Sequence, residues 1–124
     1  NICTPAYYER AVASLGSGVR SLLVFSDDIG YCKETLRLGG IPAVYVDWNR
    51  GTDSWQDMAL MSACDHHVIA NSSFSWWGAW LDPNPNKRVI APTIWNRRQV
   101  SDHDHYYAFS FDDVVPAGWE RVQP

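Results

Sequence analysis

Ile69-Ala70-Asn71-Ser72-Ser73-Phe74-Ser75-Trp76-Trp77-Gly78-Ala79-Trp80 is the stretch whose reading decides the fold. Ahead of the serines, His67-Val68-Ile69-Ala70 is a short apolar run of strand type. Behind them, Phe74, Trp77, Gly78 and Leu81 recur at i, i+3, i+4 and i+7, the spacing of one helical face. Asn71-Ser72-Ser73 between the two are residue types that favour helix N-caps. The unit therefore reads as strand, hydroxyl-rich turn, helix. A first helical turn leaves backbone N–H groups without intrahelical partners, and the helix dipole places partial positive charge there. The hydroxyls of Ser72, Ser73 and Ser75 add further donors, so the turn predicts a phosphate cradle. The plainer alternative is that the serines only cap the helix.

The flanking sequence repeats the strand-then-helix pattern. Pro5–Leu15 predicts a helix with Tyr8, Val12 and Leu15 on one face and Gly16 just beyond. Residues 21–25 form a continuous apolar run of buried-strand length, followed by Ser26-Asp27-Asp28 and a helix predicted over Ile29–Leu38. Pro42–Val46 predicts a second strand and Asp47–Thr52 a loop. Asp53 is placed to cap a helix over residues 54–64, with Gln56 as its capping-box partner. Trp55, Met58, Ala59 and Ser62 share one side of that helix. After the tryptophan helix, Asp82–Asn86 breaks the pattern, and Arg88–Ala91 predicts a strand stopped by Pro92. Residues 93–113 read as a long polar and aromatic loop, and 113–122 as a short strand or helix around Trp119. The alternation predicts an α/β fold: a single Rossmann-like, doubly wound and mostly parallel sheet covered on two sides. In such sheets ligands bind beyond the carboxyl ends of the strands. Ser26-Asp27-Asp28 and Asn71-Ser72-Ser73 both follow predicted strands, which puts them on one rim and makes them one candidate site.

Composition narrows the function classes. With 124 residues the chain forms one domain, and its formal net charge of −4 argues against a broad basic face for nucleic acid. No apolar run approaches the roughly 20 residues of a membrane span. The start, Asn1–Pro5, lacks the charged and apolar regions of a signal peptide, and the absence of an initial Met hints at a cut or missing start. Cys3, Cys32 and Cys64, odd in number and widely spaced, fit reduced cytosolic thiols better than a disulfide frame or a zinc site. Seven Trp and six Tyr are heavy aromatic usage, of the kind found at interfaces and sugar sites as well as in cores.

The acids at Asp27 and Asp28 have the acceptor geometry for a guanine N1–H and N2–H₂ pair or for ribose hydroxyls, while either can equally cap the helix after them. His66, His67, His103 and His105 lack the spacing of a rigid metal pair, and a solvated loop is the better reading of Asp102–His105. Arg97 and Arg98 can reach a phosphate but read as surface charges. No nucleophile elbow, Gly-x-Gly-x-x-Gly run or P-loop is present.

Laid out in this way, the residues resemble a known family. Val24-Phe25-Ser26-Asp27-Asp28-Ile29-Gly30-Tyr31-Cys32-Lys33, Leu60–His66 followed by Ile69–Leu81, Asn84-Pro85-Asn86-Lys87, Val89–Pro92 with Trp95, and Pro116-Ala117-Gly118-Trp119-Glu120-Arg121-Val122 are similar to the conserved blocks of glycosyltransferase family eleven, the α-1,2-fucosyltransferases. The resemblance runs over nearly the whole chain. It implies one half of a GT-B fold: residues 1–124 as the carboxyl-terminal, GDP-fucose-binding domain, with the amino-terminal acceptor domain absent. It further implies inverting transfer of L-fucose from GDP-fucose to a galactoside in glycan biosynthesis, with no cofactor and no required metal. Nucleotide contacts carry over to Asp27, Asp28, Asn71, Ser72, Ser73 and Ser75, and a cytoplasmic, bacterial-type location, at most peripheral to the inner membrane face, follows. The family's His-x-Arg-Arg-x-Asp motif does not occur in these residues, so no catalytic residue is assigned. This chain alone is expected to bind GDP weakly and to turn over nothing. The alternatives are a catalytically inactive nucleotide-sugar binding module and an interaction module that self-associates through exposed aromatics.

Overall fold

The computed structural model describes residues 2–96 and 113–124. Among the described residues, four α-helices and five strands follow one another as α1 (Pro5–Ser14), β1 (Leu22–Phe25), α2 (Ile29–Thr35), β2 (Ala43–Val46), α3 (Trp55–Ser62), β3 (His67–Val68), α4 (Ser73–Trp80), β4 (Val89–Pro92) and β5 (Glu120–Val122). All the strand pairs among the described residues are parallel. The expected α/β class with parallel strands is therefore present. The sheet is not continuous, however: β1 pairs with β2, and β3, β4 and β5 form a separate sheet in that order. Residues 21–25 and 42–46 read as buried on both faces, yet Leu23 and Val44, opposite each other in register, are about half exposed. A parallel sheet of this kind is normally covered on both sides.

The core lies on the larger sheet. Every residue of β4 is buried, as expected of a central strand flanked by parallel partners. One cluster joins Ile69, Ala79, Val89, Ala91 and Val115, with Trp76, Trp95 and Trp119 packed against it. The other joins Cys3, Tyr7, Ala11 and Ile90, so α1 seats on the opposite side of β4. Tyr7, with no exposed surface, stabilises that contact by about 2–3 kcal/mol through burial alone. The buried stripe of α1 is Tyr7, Ala11 and Val12 rather than Tyr8, Val12 and Leu15, a rotation of about one position. Thr4 caps α1, its hydroxyl accepting from the Tyr7 amide.

Other boundaries shift for local reasons. Helix α2 stops at Thr35 because Leu36 is already extended, three residues before the predicted end. The capping box at Asp53 does not form. Asp53 closes a 3-10 turn over Gly51–Asp53, Ser54 takes the N-cap position, and its hydroxyl donates back to the Gly51 carbonyl. Pro92 is the last residue of β4 rather than the residue after it. At the carboxyl end the strand alternative is realised as β5, tied to β4 by Arg88, whose guanidinium meets the Glu120 carboxylate at 2.7 and 2.8 Å.

Candidate functional site

Helix α4 begins at Ser73, directly after the turn that leaves β3. Its N-cap residue, Ser72, is extended and makes no side-chain capping bond. The first helical hydrogen bond runs from the Trp76 amide to the Ser72 carbonyl. The amides of Ser73, Phe74 and Ser75 thus precede the helical ladder, and no serine hydroxyl is spent on them. Ser75 turns inward instead, its hydroxyl donating to the Ser72 carbonyl at 3.1 Å and lying 3.4 Å from that of Ala70. Ser73 is exposed and Ser72 half-buried, so the open end of the helix faces solvent through its hydroxyl-bearing residues. Simple capping therefore does not account for this turn. Thr4 and Asp28, in the same chain, do cap their helices.

Asn71 is engaged within the protein. Its Oδ1 accepts from the Cys3 thiol at 3.6 Å, and its Nδ2 donates to the Trp95 carbonyl at 3.2 Å. One side chain thereby links the turn to the segment before α1 and to the segment after β4. Burial raises the Cys3 thiol above its ordinary value, which keeps it in the protonated form that can donate.

At the carboxyl end of β1, Asp28 is the N-cap of α2, its Oδ1 accepting from the Tyr31 amide at 2.9 Å. The Ser26 hydroxyl accepts from the Asp28 amide at 3.0 Å and tightens the corner. Asp27 is exposed between them. The two acids thus divide the roles left open by the sequence: Asp28 caps, and Asp27 has its carboxylate in solvent. Both corners follow the carboxyl ends of parallel strands, although β1 and β3 belong to separate sheets.

At its other end α4 is anchored by Lys87 and by the His67–Asp82 pair, roles that the sequence did not predict. Lys87 donates its ammonium to the carbonyls of Ala79, Trp80 and Asp82, at 2.8, 3.4 and 2.5 Å. This satisfies carbonyls that the end of a helix leaves open and places a cation at the negative end of the dipole. Asp82 is buried, and its Oδ2 lies 2.8 Å from Nε2 of the buried His67 while its Oδ1 accepts from the Asn84 amide. Burial holds the His67 imidazole below its ordinary value and outweighs the attraction of Asp82, so His67 is neutral and donates through Nε2–H. Burial pushes Asp82 the other way. The bonds from His67 and the Asn84 amide overcome it, however, and the carboxyl is held below its usual range. The sequence signal for this pair was available: an acid just past a helix end and a histidine opening the preceding strand, both in an apolar setting.

The remaining metal and phosphate candidates divide. Nδ1 of His66 accepts from the Arg88 amide at 3.1 Å, and His67 is committed to Asp82. His103, His105, Arg97 and Arg98 lie outside the described residues. Among the described residues no helix is long and apolar enough to cross a membrane.

An uncapped helix end at the exit of a parallel strand is an arrangement that anion- and nucleotide-binding α/β folds use. Comparison with known proteins narrows the class. The pattern of glycosyl transferase family 11 matches residues 1–110, and the chain belongs to that family. It is 38% identical over 124 residues to an alpha-1,2-colitosyltransferase of Escherichia coli, an alignment covering 98% of this chain and 40% of that protein. It is 40% identical over 92 residues to the O-antigen biosynthesis glycosyltransferase WbnK of Escherichia coli, covering 72% of this chain and 30% of that protein. A galactoside alpha-(1,2)-fucosyltransferase 1 of Ateles belzebuth is 25% identical over 59 residues, covering 48% of this chain and 16% of that protein. The chain thus spans about 40% of the length of the first of these relatives. No solved structure matches it.

Proposed function

We propose that this chain is the donor-binding part of an inverting α-1,2-glycosyltransferase, a galactoside 2-α-L-fucosyltransferase that takes L-fucose from GDP-fucose. The observation that carries the reading is the serine turn. The first-turn amides of α4 stand at the exit of a parallel strand, uncapped by Ser72 and flanked by the half-buried Ser72 and the exposed Ser73. That is the chemistry a diphosphate requires. In this reading the Ser72 and Ser73 hydroxyls and the adjoining amides hold the diphosphate, with Ser75 setting the shape of the turn. Asp27 accepts from the guanine edge or the ribose, with Asp28 fixing the corner. Asn71 serves through the geometry it imposes on the turn.

The reaction follows from the charge these donors meet. The acceptor hydroxyl attacks the anomeric carbon from the face opposite the phosphate. The new C–O bond forms as the bond to the β-phosphate oxygen breaks, and the configuration inverts. Negative charge grows on the departing diphosphate while the sugar becomes oxocarbenium-like. Fixed donors and the positive end of α4 lower the energy of that separation more than that of the bound substrate. The reading gives this work to protein donors and requires no metal. The proton of the acceptor hydroxyl leaves to a base outside the residues assigned here.

Calorimetric titration with GDP tests the reading. Saturable, weak binding is expected, falling about tenfold in Ser73→Ala and in Asp27→Ala, with a smaller change in Asp28→Asn. Absence of GDP binding, or binding indifferent to all three changes, overturns it. The likeness to an alpha-1,2-colitosyltransferase favours a second reading of the donor sugar, and a comparison of GDP-fucose with GDP-colitose distinguishes the two. Radiolabelled fucose appearing on lactose with this chain alone would overturn the division of labour between donor and acceptor parts.

A further inference from the structure

One bond is missing its donor where β3 gives way to the serine turn. In the β3–β4 pair the His67 amide donates to the Arg88 carbonyl and the Ile69 amide to the Ile90 carbonyl, each at 2.9 Å. His67 stands opposite Val89, and Val68 opposite Ile90. Carried one step further, a parallel ladder has the Ile69 carbonyl accept from the backbone nitrogen of residue 92. Residue 92 is proline and has no N–H to give. The position is fully buried, so an unpaired carbonyl there carries a desolvation cost.

Tyr7 occupies the vacant donor role. Its hydroxyl, on a side chain with no exposed surface, donates to the Ile69 carbonyl at 2.6 Å and lies 3.4 Å from that of Ile90. We infer that Tyr7 is a positioning residue: it substitutes for the amide that Pro92 lacks, fixes the end of β3, and thereby aims the serine turn two residues further on. The Cys3–Asn71 bond comes from the same side of the sheet, and the Asn71–Trp95 bond from just beyond Pro92. The turn is thus held from α1 and from the exit of β4 together. A proline in the ladder lets a side chain, rather than the backbone, set where the strand stops. The consequence for nucleotide binding rests on the proposed function; the structural part does not.

A rescue cycle tests it. Tyr7→Phe removes the hydroxyl and keeps the ring, whereas Pro92→Ala restores an N–H at position 92. In nitrogen-15 spectra, Tyr7→Phe is expected to shift the amide resonances of Asn71–Ser75 and to lower the melting midpoint. The double variant Tyr7→Phe, Pro92→Ala should return both toward the parent, while Pro92→Ala alone moves the turn little. If Tyr7→Phe does not fold, recovery of a folded double variant is itself the predicted rescue. Measured well below every melting midpoint, GDP affinity should fall about fivefold in Tyr7→Phe and recover in the double variant. Additive losses without rescue, or unmoved turn resonances in Tyr7→Phe, overturn the inference. A parent chain that binds no GDP overturns the proposed function instead, and the resonance cycle still decides the role of Tyr7.

Discussion

His67 and Asp82 show how much one buried pair decides. An imidazole and a carboxylate meet at 2.8 Å with almost no solvent contact. Removing the imidazole leaves a carboxylate in the interior with only the Asn84 amide on its other oxygen. His67→Ala is therefore expected to cost about 3 kcal/mol, read as a shift in the urea midpoint. The pair also sets a pH dependence. Burial holds folded His67 below the 6.5 of an unfolded histidine, so the unfolded chain binds more protons beneath that value and stability falls as pH drops from it. Asp82, also held low, contributes stability that is present above 3.8 and lost as pH falls through its lower folded value. Both act in the same direction. Between about pH 6.5 and the ordinary thiol range, where the raised Cys3 thiol begins to cost stability as pH climbs, the melting midpoint should be level; it should decline below 6.5, and His67→Gln should flatten the decline nearest neutrality. An unchanged slope in that variant would place the titrating group elsewhere.

At the scale of the element, α4 depends on a close approach that its glycine permits. A Cβ at Gly78 would stand 2.7 Å from Sδ and 2.8 Å from Cβ of Met61 on α3. The sulfur can swing aside, but the Met61 Cβ moves only with its backbone. Gly78→Ala should cost about 1–3 kcal/mol despite the better helix propensity of alanine, with partial recovery in a background of Met61→Ala. A stabilised Gly78→Ala would mean that α3 and α4 separate easily. The far end offers a second test: Lys87→Met removes the donor shared by the Ala79, Trp80 and Asp82 carbonyls and should lower stability by about 1–2 kcal/mol.

This helix also marks where sequence pattern stops informing. Its existence and its serine-rich start were legible because the residue types change abruptly at Asn71. The facing was not. Phe74, Trp77, Gly78 and Leu81 share a helical stripe, yet Trp77 is 48% exposed and Leu81 53%, and the buried residues are Gly78 and Ala79. Periodicity weighs hydrophobicity, whereas close packing against α3 selects for smallness. A helix with tryptophan on several sides gives periodicity little to separate. Asp53 failed as a cap for a similar reason: the 3-10 turn before α3 shifted the cap position onto Ser54.

For the whole molecule, the unsettled feature is the small sheet. A two-stranded parallel sheet is marginal alone, and Leu23 and Val44 on one face are 42% and 48% exposed. Trp48, Trp55, Trp77 and Trp80 add exposed aromatic area. With the chain spanning about 40% of a relative's length, this apolar surface is expected to drive self-association of the isolated chain. Size-exclusion runs at rising concentration should show earlier elution, and Val44→Thr together with Trp80→Gln should reduce the effect. A monomer at every concentration would contradict it. The parallel sense of the strand pairs follows from the alternation seen in the sequence. The gap between β2 and β3 does not, because local pattern carries no information on which strands fail to pair.

The central claim is that the corner after β1 and the turn after β3 grip a single guanosine diphosphate. Nitrogen-15 spectra of the chain recorded during a GDP titration test it most directly. The account predicts that the amides of Asp27-Asp28 and of Ser72–Ser75 shift together along one binding curve. Shifts confined to one of the two segments, or curves with different midpoints, would contradict it.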